Sequence, residues 1–433
     1  MTGKKRRRLV WLVPVSILIA MGVAIVLRYQ GVIVPVRVAS GSMAEQLLGP
    51  HRLVTCAECG FAFRCGIDAD SPLQMATCPN CGFERNDLSS LMLRDGDRVV
   101  IDRWAYFRHL PQRGDVVAFV DPTNQAQLAV KRVMGLPGEV VAIRRGELFV
   151  DGQLHRKSLE ETKKLATLVY DDAFRLGDAS RLPPRWQGED AATDWRPTNE
   201  GYRCTPAISA TTTSDWLMYR HWRCYTSPNS RTEESPITDN YAYNQGLSRE
   251  LHEVTDLLLS CELTVAEDGE AAFLIHDGWA SFMMLLSAKT RSVALSRGED
   301  LLDRVVIPNY IDLQRVTIEL GAIDDQILVA VSGETLIRHE YLPLAVPLQP
   351  TSRPLGIAAR RGDCSVSNVR VYRDIHHLNP IRGDWAWTGR TRLGVEEFLV
   401  LGDNSPLSND SRHWPEPELH RELVIGKVLM PRR

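Results

Sequence analysis

Residues 113–139 read RGDVVAFVDPTNQAQLAVKRVMGLPGE. Short apolar runs in this stretch alternate with Gly, Pro and Asp, the residues that favour turns. This pattern is typical of β-strands joined by hairpins and does not fit helices. It continues at residues 93–103 on one side and at residues 145–150 on the other, so the sequence predicts a mainly β fold.

Lys131 interrupts the last apolar run of this stretch. In a strand its side chain shares a face with Ala129 and Val133, whereas Arg132 points to the opposite face. Apolar neighbours lower the pKa of a buried lysine such as this one, and a neutral amine can act as a general base. Most strand lysines lie at an edge or on the surface, so this pattern alone is weak evidence of catalysis. A catalytic role for Lys131 requires a partner nucleophile.

Two further segments supply hydroxyl and carboxylate groups. Residues 40–43, Ser-Gly-Ser-Met, form a turn next to a predicted strand, and Ser42 is the candidate nucleophile. Near residue 400 a strand at 398–401 runs into Gly-Asp-Asn-Ser at 402–405, and Ser-Asn-Asp-Ser-Arg follows at 408–412. Either segment alone is also compatible with an ordinary polar loop.

The first 27 residues predict a membrane anchor. Residues 1–8 carry five basic side chains, and residues 9–27 contain no charge. A helix of that length spans roughly 28 Å, close to the hydrocarbon thickness of a bilayer. The basic flank predicts a cytoplasmic N-terminal tail and a single pass through the plasma (inner) membrane, with the rest of the chain extracytoplasmic. A cleaved signal peptide and a buried core helix are the alternatives.

Two CxxCG turns, eighteen residues apart, predict a metal site. This spacing is typical of a zinc ribbon, which we place at residues 52–86. The predicted ligands of a structural zinc ion are Cys56, Cys59, Cys78 and Cys81. Four thiolates leave no open position, so no catalytic role is expected. Disulfides are the alternative in an extracytoplasmic protein, and Cys65 is expected to be a buried apolar residue.

Composition excludes several classes of protein. The 433 residues are 44% hydrophobic and 24% charged, an ordinary globular composition that excludes a disordered, collagen-like or polytopic membrane protein. The net charge of −3 gives no indication of a nucleic-acid partner. Nine cysteines are too few for a disulfide-stapled scaffold.

Taken together, these segments resemble type I signal peptidase, the membrane-anchored serine–lysine protease. That family shows Ser-x-Ser-Met after a transmembrane helix, then a Gly-Asp-x-Val strand, Lys-Arg-x-x-Gly-x-Pro-Gly, and Gly-Asp-Asn followed by Ser-x-Asp-Ser-Arg. All four segments occur here in that order. The resemblance implies an antiparallel β catalytic domain split between residues 35–155 and 378–433.

The resemblance also implies a role for each matching residue. Ser42 would be the nucleophile and Lys131 the general base that deprotonates it. The Ser40 hydroxyl would contribute to the oxyanion hole, and Ser408 would orient the lysine amine. The structural ion pairs would be Arg132 with Asp403 and Arg412 with Asp410. The expected partners are preprotein signal peptides and the lipid bilayer, and catalysis would need no cofactor.

One departure from the family leaves an alternative function open. The family usually continues Ser-Met with x-Pro-Thr, whereas residues 44–46 here are Ala-Glu-Gln. The predicted function is a serine endopeptidase that cleaves N-terminal signal peptides from exported preproteins. The alternative is an inactive peptidase-like envelope protein that acts as a binding or scaffold module. The joint presence of Ser42, Lys131 and Ser408 favours the enzyme.

Residues 156–377 form a large insertion. Ser158 to Glu161 predict a capping box that begins a short helix, and residues 170–245 show no regular pattern. Residues 255–375 predict a β-sandwich that resembles the concanavalin and laminin-G types. Its predicted strands are 258–265, 271–275, 280–286, 316–320, 327–331, 355–359 and 366–373.

The insertion is expected to be an accessory domain, with an envelope protein or a carbohydrate as its possible ligand. The aromatic residues of 216–225 are a candidate sugar platform, although such residues are more often part of a core. Outside the cell, Cys204 with Cys224 and Cys261 with Cys364 are candidate disulfide pairs.

Overall fold

The structure is a computed structural model. It describes residues 17–26, 31–67, 73–177, 182–190, 192–205, 215–224, 230–379, 386–388 and 392–430. Strands paired in antiparallel sheets account for far more of these residues than helices do, so the mainly β prediction is confirmed.

The first part of the chain contributes short strands and hairpins. Between residues 33 and 154 the described strands are β1 (Ile33–Arg37), β2 (His51–Thr55), β3 (Ala62–Gly66), β4 (Met75–Ala76), β5 (Asn86–Asp87), β6 (Leu93–Arg94), β7 (Arg98–Asp102), β8 (Val116–Asp121), β9 (Asn124–Gly135), β10 (Val141–Arg144), β11 (Glu147–Val150) and β12 (Gln153–Leu154).

The insertion contributes a second set of strands. They are β13 (Thr167–Asp171), β14 (Trp186–Gly188), β15 (Trp195–Pro197), β16 (Gly201–Cys204), β17 (Asp215–Tyr219), β18 (Leu257–Val265), β19 (Glu270–His276), β20 (Ser281–Ser287), β21 (Ser292–Arg297), β22 (Asp300–Val306), β23 (Val316–Ile323), β24 (Gln326–Val331), β25 (Glu334–Glu340), β26 (Leu355–Arg361) and β27 (Cys364–Arg373).

The last part of the chain returns to the first. Its strands are β28 (Ala386–Thr388), β29 (Glu397–Leu401), β30 (Leu419–His420) and β31 (Val424–Leu429). Short 3₁₀ helices lie at Asp172–Phe174, Ser230–Thr232, Ala242–Asn244, Ser405–Leu407 and Arg421–Leu423.

Sheet I joins the two ends of the chain in the order β1-β7-β31-β8-β9-β29-β30. Alternating side chains of β8 fill two different cores: Val116 and Ala118 pack in the cluster that contains Met43, and Val117 and Phe119 pack in the opposite cluster. Strand β29 lies beside β9 and strand β31 lies between β7 and β8. A smaller sheet II has the order β12-β11-β10-β28.

The cysteine-rich segment, which we call the cysteine module (residues 51–94), forms two small sheets and packs against the insertion through Leu182 and Ala242. It contains a three-stranded sheet, β3-β2-β6, and the two-stranded pair β4-β5. Its buried cluster includes Cys56, Cys78, Cys81 and the apolar residue Leu88.

Two large antiparallel sheets make up most of the insertion. Sheet III has the order β15-β16-β27-β18-β23-β24-β25, with β13 also paired to β27, and sheet IV has the order β14-β17-β26-β19-β20-β21-β22. Side chains from both sheets form one buried cluster, which includes Phe273, Leu259 and Val371. The two sheets therefore share a single core.

The seven strands predicted between residues 258 and 373 are all present, some with longer ends. The prediction that residues 170–245 are irregular was wrong, because β13 to β17 lie at least partly there and add strands to both sheets. Strands β21, β22 and β25 were also not predicted. The helix Leu159–Leu165 begins with the predicted capping box, in which Ser158 Oγ accepts from Glu161 N and the Glu161 carboxylate accepts from Ser158 N.

None of the nine cysteines forms a disulfide. Cys204 on β16 lies opposite Cys364 on β27, so neither of the two candidate pairs is formed.

The predicted anchor, residues 9–27, is described only in part. Residues 17–26 are helical with exposed apolar side chains, and residues 1–16 and 27–30 are not described. Among the helices that the structure describes, none has the length and apolar character needed to span a membrane.

Candidate active site

Ser42 and Lys131 lie together in the interior although 89 positions separate them. Lys131 Nζ is 2.7 Å from Ser42 Oγ. Only 6% of Ser42 and 5% of Lys131 is exposed. Strand β9 fixes Lys131 opposite Val117 of β8, and Ser42 lies in the turn that follows β1. The pair therefore depends on the pairing of strands within sheet I.

The surroundings of Lys131 favour its neutral form. Burial lowers the pKa of Lys131 to about 8, and the negative charges of Asp410 and Asp121 oppose this effect only in part. With this pKa about a tenth of the amine is uncharged at pH 7, far more than for an ordinary lysine. An uncharged amine within hydrogen-bond distance of a hydroxyl can accept its proton.

A second hydroxyl lies next to the first. Ser40 Oγ donates a hydrogen bond to Ser42 Oγ at 3.2 Å. Both side chains belong to the Ser40-Gly41-Ser42 turn, and Tyr243 packs directly beneath it. A Cβ atom at Gly41 would overlap the Tyr243 ring, so this turn needs glycine at its centre.

Ser408 lies in the site but makes a different contact from the one expected. Its hydroxyl donates to Asp410 Oδ2 at 2.6 Å, whereas the amine of Lys131 is bonded to Ser42. Asp410 is the stronger acceptor because it is charged. Gly402 N also donates to Asp410 Oδ2, at 2.9 Å, and a Cβ atom at Gly402 would overlap both Ser408 Oγ and the Ser42 carbonyl.

Two bidentate ion pairs surround this centre. Arg132 Nε and Nη2 donate to the two carboxylate oxygens of Asp403 at 2.7 and 2.6 Å. Arg412 Nε and Nη2 donate to those of Asp410 at 2.8 and 2.7 Å. Burial alone would raise the pKa of Asp410, but the Arg412 guanidinium and hydrogen bonds from His413 and Ser408 hold that pKa well below its ordinary value.

Asn404 is a site residue that sequence reasoning missed. Its backbone N–H donates to Ser42 O at 3.0 Å, and its side-chain Nδ2 donates to Gly41 O at 2.9 Å. Asn404 is fully buried. Its position directly after Asp403 was a signal that could have identified it.

Residues of the insertion complete the environment of this turn. Asn244 exchanges two hydrogen bonds with the side chain of Asn404, at 2.6 and 2.8 Å. Tyr241 donates to Asp403 O at 3.3 Å, and Tyr243 donates to Pro50 O at 3.0 Å. No sequence pattern could have identified these contacts, because they join positions 160 to 193 residues apart.

The four predicted metal ligands form one compact group. Cys56 Sγ lies 3.6 Å from Cys81 Sγ, and Cys59 Sγ lies 3.6 Å from Cys78 Sγ. All four sulfur atoms lie within 4.8 Å of one another. Tetrahedral zinc–thiolate bonds of about 2.3 Å would place the sulfurs about 3.8 Å apart, so this group could hold zinc.

A second buried cluster of charges lies between sheet II and the insertion, remote in sequence from Ser42. Lys157 Nζ is 2.6 Å from Asp324 and 2.9 Å from Asp374. Carboxylate oxygens of Glu147, Asp256, Asp324 and Asp374 lie within 4.8 Å of one another. One lysine therefore faces four carboxyl groups.

The aromatic residues considered as a sugar platform are mostly internal. Tyr219 and Trp222 are buried, Trp216 is partly buried and packs near Gly356, and Tyr225 lies outside the described residues. Tyr219 packs against the Trp186 ring, with 5.3 Å between the ring centroids. Tyr219 and Trp222 thus contribute to the interior of the insertion.

Comparison with solved structures gives only weak similarity. The carbohydrate-binding module CBM66 from Bacillus subtilis is 12% identical, with a TM-score of 0.28 over 43% of this chain and 94% of that chain. The galectin LEC-6 from Caenorhabditis elegans is 14% identical, with a TM-score of 0.21 over 27% of this chain and 83% of that chain. These values give no basis for assigning a fold family or a ligand to the insertion.

Curated relatives align with a limited part of the chain. A probable signal peptidase I-1 of Synechocystis sp. is 37% identical over 68 residues, which are 14% of this chain and 35% of that protein. The mitochondrial inner membrane protease subunit 2 of Danio rerio is 31% identical over 104 residues, 21% of this chain and 55% of that protein. The signal peptidase I of Pseudomonas aeruginosa is 33% identical over 106 residues, 21% of this chain and 37% of that protein. The chain thus spans about a third to a half of the length of these relatives.

The sequence profile of the family described as signal peptidase, peptidase S26, matches residues 88–193. This match includes Lys131 and Arg132, whereas Ser42 and the segment 402–412 lie outside it. Residues 88–193 therefore carry a peptidase S26 segment within a longer chain.

Proposed function

We propose that the chain is a serine endopeptidase that removes N-terminal signal peptides from exported preproteins. Ser42 is its nucleophile and Lys131 its general base. The observation that supports this proposal most directly is the distance of 2.7 Å between the buried Lys131 Nζ and Ser42 Oγ. The peptidase S26 match at residues 88–193, which contains Lys131, supports the same reaction class.

The first half of the reaction is acylation. Neutral Lys131 Nζ takes the proton of Ser42 Oγ as the oxygen attacks the scissile carbonyl carbon. The resulting ammonium then gives that proton to the leaving amine, and the peptide bond breaks. In the second half Lys131 takes a proton from water as the water oxygen attacks the acyl carbon, and it returns that proton to Ser42 Oγ as the ester bond breaks and the acid product leaves.

Hydrogen-bond donors must stabilise the negative charge that develops on the carbonyl oxygen during the attack. The Ser42 backbone N–H and the Ser40 hydroxyl, whose Oγ is 3.2 Å from Ser42 Oγ, are assigned this role. Ser408 acts through Asp410 rather than by direct contact with the amine, because its hydroxyl is bonded to that carboxylate. Ser408 and Arg412 thereby hold the Asp410 carboxylate near the base.

The proposed location is the plasma (inner) membrane, with residues 9–27 as a single anchor, residues 1–8 in the cytoplasm and the catalytic domain extracytoplasmic. The helical residues 17–26 expose apolar side chains, as a lipid-facing segment would. Ser42 lies only 15 residues beyond Leu27. A site so close to the bilayer suits substrates that are themselves embedded in it.

The cysteine module is proposed to be a zinc ribbon with a purely structural role. Bound zinc would hold Cys56, Cys59, Cys78 and Cys81 together and thereby fix the module. The two sheets of the insertion are proposed to form an accessory β-sandwich. Its binding of an envelope protein or a carbohydrate stays a prediction.

The experiment compares detergent-solubilised wild type with Ser42→Ala and Lys131→Ala on a preprotein whose signal peptide ends in Ala-x-Ala. Lys164→Ala is the matched control, because Lys164 is exposed on the helix Leu159–Leu165. Wild type and the control should cleave after the final alanine, and both site variants should lose at least about a thousandfold in kcat/KM. Turnover retained by either folded site variant would refute the dyad. A folded wild type without activity would favour the inactive binding module.

A further inference from the structure

The turn that carries Ser42 is held by Asn404, and Asn404 is held in turn by a residue of the insertion, Asn244. Asn404 binds both carbonyls of the turn, with its Nδ2 on Gly41 O and its backbone N–H on Ser42 O. Its remaining side-chain capacity is taken up by Asn244, which donates to Asn404 Oδ1 at 2.6 Å and accepts from Asn404 Nδ2 at 2.8 Å. The two amides form a closed pair.

This amide pair fixes the orientation of Asn404. The Asn404 side chain is fully buried and 7% of Asn244 is exposed, so water cannot easily replace a lost partner. Without Asn244, one N–H and the Oδ1 atom of Asn404 would be left unbonded. The side chain could then rotate, and the hydrogen bond to Gly41 O would weaken with it.

The segment that carries Asn244 has its own support. Asn244 ends the 3₁₀ helix Ala242–Asn244, and Tyr243 of that helix packs beneath Gly41. Arg373, at the end of β27, donates to the carbonyls of Asp239 and Asn240 at 3.1 and 2.8 Å. Sheet III is thus connected to the nucleophile turn by a continuous series of contacts.

We infer that Asn244 is a positioning residue, through which the insertion sets the geometry of Ser42 for catalysis. The predicted effect on turnover rests on the proposed function. The contact between Asn244 and Asn404 does not depend on that function. A displacement of about 1 Å at a nucleophile can cost on the order of a hundredfold in rate, so a modest shift of the turn is measurable.

The test uses the full chain with Asn244→Leu, which removes both hydrogen bonds at similar volume. Gln326→Leu is the matched control, since Gln326 is an equally buried amide in sheet III that bonds to Lys157 O and Arg338. The readouts are kcat and KM for a signal-peptide substrate, the pH profile, and hydrogen exchange of the Asn404 backbone amide. If Asn244→Leu fails to fold, Asn244→Ser replaces it.

The expected result is a fall in kcat of at least about tenfold for Asn244→Leu, with KM within about twofold of the wild-type value. The activity should rise with pH around the same midpoint as in the wild type, because the surroundings of Lys131 do not change. Exchange at Asn404 should accelerate in Asn244→Leu and not in Gln326→Leu.

Three outcomes separate this inference from the proposed function. Unchanged kcat in Asn244→Leu, whether or not exchange accelerates, would overturn the inference while leaving the peptidase intact. An equal loss of kcat in Gln326→Leu would also overturn it, because the effect would then be general destabilisation. An inactive wild type in which only Asn244→Leu accelerates exchange would refute the peptidase and support the positioning contact.

Discussion

Arg132 and Asp403 form a bidentate ion pair, with both carboxylate oxygens within 2.7 Å of the guanidinium. Arg132 directly follows Lys131, and Asp403 directly precedes Asn404. The pair therefore ties the strand that carries the amine to the segment that holds the nucleophile turn. Lysine cannot reproduce a bidentate contact, because its ammonium is a single point of charge.

We accordingly expect Arg132→Lys to lower kcat on the order of tenfold with little loss of fold. Steady-state kinetics and thermal unfolding check this expectation. Arg203→Lys is the control, since Arg203 pairs with Asp363 on the surface and exposed pairs contribute little. Equal kinetics for the two variants would contradict a link between the ion pair and turnover.

The activity should rise with pH as Lys131 loses its proton, with a midpoint in kcat/KM at about 8, because burial lowers the pKa of Lys131 to about 8. The negative charge of Asp121 raises that pKa. Asp121→Asn should therefore move the midpoint to lower pH while keeping the Oδ1 acceptor for Thr123. Asp300→Asn, on the distant strand β22, should leave the midpoint in place. A midpoint that stays at the wild-type value in Asp121→Asn would contradict this account of the titrating group.

Metal removal should destabilise the cysteine module. The purified protein is expected to contain one zinc ion per chain, measured by mass spectrometry of the metal, and a chelator should lower its thermal midpoint. Cys59→Ser should lose the metal. Cys65→Ala is the control, because Cys65 is buried in the same module but lies outside the group of four sulfurs. Full zinc content in Cys59→Ser would exclude this ligand set.

The cluster around Lys157 should make stability depend on pH. Burial and neighbouring carboxylates hold the pKa of Asp256 well above its ordinary value. A carboxyl group with a raised folded pKa stabilises the fold at low pH, and that contribution is lost as pH rises through the folded pKa. Asp256→Asn cannot ionise, so its free energy of unfolding relative to wild type should increase with pH, by about 1.4 kcal/mol for each unit by which the pKa is raised.

Denaturant titrations between pH 5 and pH 9 measure this difference. Asp363→Asn provides the comparison, since Asp363 is half exposed and pairs with Arg203. A difference for Asp256→Asn that is constant across the range would contradict a folded pKa of Asp256 within or above that range.

Strands β7, β8, β9 and β29 of sheet I could be predicted from the sequence because their apolar runs are bounded by clear turn residues, whereas β30 and β31 were not predicted. Lys131 was conspicuous for the same reason, as a charge within an apolar run. Strands β14, β15 and β16 could not be predicted, because three or four residues show no periodicity. They exist because sheets III and IV offer them partners. Asn244 could not be predicted either, because its partner Asn404 is distant in the chain and a single asparagine forms no sequence pattern.

The order of strands in sheet I has a consequence for when the protein can work. Strand β31, near residue 430, is an interior strand that lies between β7 and β8. Until the ribosome has synthesised β31, sheet I has a gap between β7 and β8, and β8 is the strand that pairs with β9. The segment 402–412 is made almost as late. A partly synthesised chain therefore lacks β31 and the hydrogen bonds from Asn404 to the turn of Ser42, so the arrangement around Ser42 is completed only at the end of synthesis.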